Sequence, residues 1–112
     1  MAWQNPAGPG PCQARLELHQ QDGMLTVTGH CRNLLPTAGH YRYELSTVRE
    51  GAGGSSRNKQ GGEFDVAPQG EVSLSQTRIN VSAQDRYRIH LRVLDLAGHT
   101  VAQDSAFQTS TH

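Results

Sequence analysis

The sequence predicts an all-β chain, a seven-stranded immunoglobulin-like β-sandwich, and three observations carry that expectation. The first is the stretch Asp85–Gly98, a ten-residue strand and its closing turn, where Tyr87, Ile89, Leu91 and Val93 alternate strictly with Arg86, Arg88, His90 and Arg92. Successive side chains of a strand point to opposite faces, so this pattern gives one oily and one cationic face. The second is the absence of any sustained apolar repeat at helical spacing, in a chain of modest 35% hydrophobic content that is rich in Gly, Ser, Thr and Gln. The third is a set of turn signals that divide the chain into seven short extended runs. With 112 residues the chain suits one domain, burying roughly 65% of its unfolded surface.

In chain order, residues 1–11 (Met-Ala-Trp-Gln-Asn-Pro-Ala-Gly-Pro-Gly-Pro) read as a flexible leader, the sandwich as 12–109, and 110–112 as a flexible tail. A first strand, Cys12–His19, sets Cys12, Ala14, Leu16 and Leu18 on one face. Gln20-Gln21-Asp22-Gly23 reads as its hairpin loop, with the favoured Asp-Gly ending. The second strand, Met24–Cys31, turns Leu25, Val27, Gly29 and Cys31 inward. If Leu18 opposes Leu25, then Cys12 opposes Cys31, and the chain's two cysteines pair as a structural disulfide. Closing that loop is worth about 3 kcal/mol and implies an oxidising compartment. The alternatives are a register shifted by two, which sets the pair on a diagonal, or two buried thiols.

Leu34-Leu35-Pro36 carries the chain to the other sheet, and His40–Val48 follows as the third strand with Tyr41, Tyr43 and Leu45 inward. Arg49–Ser56 reads as a flexible Gly-rich loop. Arg57–Asp65 is the fourth strand, where Gln60-Gly61-Gly62 signals a bulge or a close backbone approach. Glu71–Val81 is the fifth, in which Val72 and Leu74 and then Ile79 and Val81 face inward; that change of parity needs a break near Gln76-Thr77-Arg78. The central cationic strand is sixth. Its first residues, Asp85-Arg86-Tyr87, resemble a tyrosine corner, and Asp95-Leu96-Ala97-Gly98 forms its closing turn. The last strand, His99–Thr109, has Val101 and Phe107 as anchors.

Little here suggests catalysis or a cofactor. The six histidines are dispersed, and the two cysteines have each other. His19 and His30 share an outer face, but two ligands make a weak metal site. The Gly-rich loop lacks the lysine and the strand-to-helix setting of a phosphate loop. Asn80-Val81-Ser82 fits a glycosylation sequon, a pattern frequent by chance. No apolar run approaches a membrane span. Formal net charge is zero and no aromatics interleave with the arginines, which argues against nucleic acid.

What remains is the distribution of charge. Nine of the ten basic residues are arginine, the side chain suited to planar contacts with carboxylates and aromatic rings. In an immunoglobulin-like sandwich the third, sixth and seventh strands share a sheet. Arg42, Arg86, Arg88, His90 and Arg92 then project from one outer surface, with Arg57 and Lys59 extending it at the edge. One reading is ordinary solvated strand faces, balanced by Glu44 and Asp104. The other is a patch that steers an acidic or amide-rich partner in a salt-dependent way.

Particular stretches also resemble a known family. Tyr43-Glu44-Leu45, the Gly-rich loop through Gly53-Gly54-Ser55-Ser56, Gln60-Gly61-Gly62-Glu63-Phe64, Tyr87–Val93 and Gly98 are similar to the CsgH branch of the CsgC-like curli chaperones. The likeness runs from about Cys12 to Phe107. It implies a small periplasmic immunoglobulin-like sandwich that inhibits premature amyloid nucleation by an unfolded or early-nucleus curli-type subunit. By position it assigns partner binding to Arg42, Arg57, Lys59, Arg86, Arg88 and Arg92, with Arg42, Arg88 and Arg92 foremost. Such a protein acts as a monomer, without enzyme activity, cofactor, nucleic acid or membrane insertion. The Cys-x-Cys pair of the CsgC branch is missing, since Cys31 is followed by Arg32-Asn33, so no redox role carries over. Rival readings are an immunoglobulin-like accessory or adhesion module of a secretion or pilus system and, more distantly, a redox protein using Cys12 and Cys31.

Overall fold

The structure, a computed structural model, describes residues 10–82 and 84–108. Most of the expected leader, the expected tail and Thr109 lie outside the described residues. The seven strands are β1 (Cys12–Gln21), β2 (Met24–Asn33), β3 (Gly39–Gly51), β4 (Gly54–Val66), β5 (Glu71–Asn80), β6 (Arg86–Leu94) and β7 (Thr100–Gln108). They form two antiparallel sheets, ordered β1-β2-β5 and β4-β3-β6-β7. This is the expected sandwich, with β6 between β3 and β7.

Its core lies where the inward rows meet. Ile89, Leu91 and Val93 of β6 are fully buried, and Leu45 of β3 joins Leu25 and Val27 of β2 in the main cluster. A second cluster gathers Cys12, Cys31, Tyr41, Val66 and Val93 at one end. There the Tyr41 and Phe64 rings lie 6.0 Å apart, and Tyr43 meets Phe64 edge-on at 6.2 Å.

Four expectations are corrected by backbone detail. Asp22 and Gly23 take positive φ of 55° and 75° and make a two-residue turn, so Gln21 pairs with Met24. The β1–β2 register therefore differs by two from the expected one. Leu18 opposes Val27, Cys12 opposes Asn33, and Cys31 opposes Ala14. The cysteines sit on a diagonal, as two buried thiols that are hydrogen-bonded but not joined. Second, Arg49–Ser56 is not a loop: pairing continues to Gly51 opposite Gly54, and only Ala52-Gly53 turns the chain. Gly61 brings the close approach rather than a bulge, since a Cβ there would stand 2.8 Å from the Tyr43 carbonyl oxygen.

Third, the parity break in β5 falls at Leu74, not at 76–78. Ser73 pairs with His30 and Ser75 with Gly29, which leaves Leu74 as an extra residue pressed toward Gly29. Fourth, β7 carries the same device. Val93 pairs with Ala102 but Leu94 with Thr100, so Val101 is the extra residue. Val101 packs inward, and beyond it the parity inverts, turning Asp104 inward and Phe107 out. Phe107, expected as an anchor, is 72% exposed.

At the β5–β6 corner, Asp85 does the tying. Its carboxylate accepts the Ser82 N–H at 3.0 Å and an Arg49 N–H at 3.4 Å, in a space that Gly51 leaves open for want of a Cβ. Those bonds, the Ser82 backbone first, hold the Asp85 carboxyl below the usual range.

Candidate functional site: a basic sheet face

The outer face of the four-stranded sheet is read most easily as rows that cross all four strands. One row runs Glu63, Arg42, Leu94, Thr100; the next Gly61, Glu44, Arg92, Gln103; then Lys59, Ser46, His90, Ser105; then Arg57, Val48, Arg88, Phe107. Arg86 follows beyond, opposite Glu50. Arg42, Arg57, Lys59, Arg86, Arg88 and Arg92 therefore all stand on one surface. The unbroken alternation of β6 and the continuous β3–β4 ladder put them there.

They are not equivalent. Arg92 donates to Glu44 at 2.8 Å, and Arg86 lies 3.4 Å from Glu50. The hydrogen bond from Arg92 draws the Glu44 carboxyl below its ordinary pKa, and the charges of Lys59 and Arg42 add to that pull. Among the described residues Arg42, Arg57, Lys59 and Arg88 have no carboxylate within ion-pair distance. Arg92, ranked among the foremost candidates from the sequence, is already occupied, and Arg57 and Lys59 gain weight in its place. Asp104, expected to balance the face, points away from it.

Two further acids, Glu63 and Asp65, lie at the Arg42 end of this face. His40 sits between Glu63, 3.0 Å from its Nε2, and Asp65, against its Nδ1. Those hydrogen bonds, Asp65 first, raise the His40 pKa. A shallow depression of about 500 Å³ opens beside the cations, lined by Glu44, Val48, Arg57, Lys59, His90 and Arg92. Such a surface suits reversible contact with an extended acidic chain. It offers no nucleophile with a positioned base and, among the described residues, no group of three metal-ligating side chains.

The opposite sheet is arranged differently. Arg15 donates to Glu71 at 3.0 Å, and His30 meets Glu17 at 2.8 Å rather than His19. Its other arginines, Arg32 and Arg78, stand at opposite ends of the sheet. Among the described residues, only the β4-β3-β6-β7 face clusters cations without carboxylate partners.

Comparison with known proteins fixes the lineage. The sequence model of the family described as CsgH protein matches residues 12–106. The chain belongs to the CsgH family. Among solved structures, this CsgH-family chain is similar to the E. coli curli protein CsgC, with TM-score 0.70 and 23% identity over 84% of this chain and 96% of that one. It is also similar to R. palustris CsgH, solved in solution, with TM-score 0.65 and 26% identity over 84% and 89%. A Bacteroides uniformis β-glucuronidase shares the fold over 14% of its own length, at 10% identity and TM-score 0.57. No curated protein matches. Among the described residues no helix is long and apolar enough to cross a membrane.

Proposed function

We propose that this CsgH-family chain is a periplasmic chaperone that delays amyloid nucleation by a curli-type subunit through transient, electrostatically guided contacts. The observation that carries the reading is the cluster of Arg42, Arg57, Lys59 and Arg88 on one sheet face, free of carboxylate partners among the described residues. Amyloid grows by adding strands to exposed edges. A basic, polar face attracts a mildly acidic unfolded chain without offering it a flat apolar template. Family membership and the likeness to a curli protein and to another CsgH support the same role. The protein acts as a monomer and without chemistry. In the oxidising periplasm Cys12 and Cys31 close into a disulfide.

The test is thioflavin-T fluorescence of a purified curli-type subunit with substoichiometric amounts of this protein. The lag lengthens at low ionic strength and the effect shrinks as salt is added, because surface attraction is screened over about 8 Å at physiological salt. An unchanged lag even at equimolar ratio sinks the reading.

A further inference from the structure

Phe107 lies in the row Arg57, Val48, Arg88, Phe107, at the edge of the basic face. Around it a cleft of about 300 Å³ is lined chiefly by Val48, Arg57, Arg88 and Phe107, with the acid Glu50 in its wall held 3.4 Å from Arg86. The other exposed large hydrophobic residues described are Leu35 and Leu96, both outside the strands. Phe107 alone among the three belongs to a strand and has guanidinium groups beside it.

The two halves of this cleft ask for different things. Arg88 and Arg57 gain from a carboxylate that takes two parallel N–H bonds. Phe107 and Val48 gain from an apolar ring that removes their surface from water. A purely acidic partner leaves the ring wet, and a purely apolar one dehydrates two cations without compensation. One segment satisfies both: an extended run in which an aromatic side chain is flanked closely by carboxylates.

We propose that this cleft is the recognition point of the basic face, taking an aromatic side chain of an unfolded acidic segment onto Phe107 and Val48 while neighbouring carboxylates meet Arg88 and Arg57. The idea rests on the chaperone reading for the identity of the partner but not for the chemistry of the cleft. It makes the face selective: charge brings many acidic chains near, and the ring favours those that carry an exposed aromatic.

The test is a two-dimensional NMR titration of the full chain with three capped, glycine-flanked peptides whose central triplets are Asp-Phe-Glu, Asp-Ser-Glu and Lys-Phe-Lys. The first shifts the amides of Arg88 and Phe107 and binds about five- to tenfold more tightly than the second; the third does not bind. Phe107→Ser, a change at an exposed site whose fold the same spectra verify, brings Asp-Phe-Glu down to the level of Asp-Ser-Glu and leaves the latter unmoved. Equal binding of the first two peptides, or an equal loss of both in the variant, overturns the proposal. So does concentration-dependent sedimentation of the free protein that Phe107→Ser abolishes, which assigns the ring to a second copy. Because the titration uses no amyloid subunit, peptides that behave as expected beside an unchanged lag fail the chaperone reading alone.

Discussion

The Asp104 carboxylate accepts the backbone N–H of Leu16 at 2.8 Å, from β7 in one sheet to the edge strand β1 of the other. The two-residue turn at Asp22-Gly23 directs the backbone groups of Gln21 and every second residue before it toward β2. Leu16 falls in the alternate set, so its N–H faces outward along an unpaired edge. An inward-pointing acid that occupies such a donor is one way to keep an edge from recruiting another strand.

Asp104→Ala is therefore expected to cost about 2 kcal/mol, the scale of a lost hydrogen bond to a charged group, and to raise self-association. Urea denaturation reads the first effect, and light scattering at high protein concentration the second. A variant of unchanged stability that stays monomeric removes the edge-guarding role.

Asn33 is a second buried polar tie. Its side-chain NH2 donates to the carbonyls of Thr37 at 2.7 Å and Ala67 at 3.1 Å, while its oxygen accepts the Leu35 N–H at 3.1 Å. One fully buried side chain thus joins the β2–β3 and β4–β5 connections. Asn33→Leu strands three backbone groups, with an expected loss of about 3 kcal/mol. The urea midpoint should fall with its slope unchanged.

His40 gives the clearest pH dependence. Its folded pKa is raised above the ordinary 6.5 by Asp65 and Glu63. The associated stability is fully present below the unfolded value and is lost as pH rises through the higher folded value. An NMR titration of the His40 ring is expected to show a midpoint above 6.5 that Asp65→Asn lowers.

The two buried cysteines differ as thiols. Hydrogen bonding with Cys12 and burial push the Cys31 thiol well above the ordinary range, and the same hydrogen bond lowers Cys12. In the reduced protein Cys31 should resist thiol reagents until unfolding. Oxidation should raise stability by about 3 kcal/mol in the chain-entropy picture, read as a higher urea midpoint that reductant reverses. Equal midpoints for the two forms contradict this account.

Much of the fold was legible because β6 obeys period two without a Gly or Pro, so its faces and those of β3 follow from one pattern. What escaped the sequence turned on single residues. Asp22-Gly23 admits a two- or a four-residue hairpin, and only backbone φ selects the register that moves Cys12 opposite Asn33. Val101 is apolar whether or not it is an extra residue, yet its bulge decides that Asp104 guards an edge and Phe107 faces water. The basic face was visible from alternation, whereas the capture of Arg92 by Glu44 depends on cross-strand register, which periodicity does not encode.

The most direct measurement is the aggregation lag of a curli-type subunit with wild-type protein and with Arg57→Glu/Arg88→Glu, at low and physiological salt. Both positions are exposed and without ion pairs among the described residues, so the variant is expected to fold normally. Wild-type protein should lengthen the lag most at low salt, and the double reversal should abolish most of that effect. A variant that delays nucleation as well as wild type contradicts the central claim that this basic face does the work.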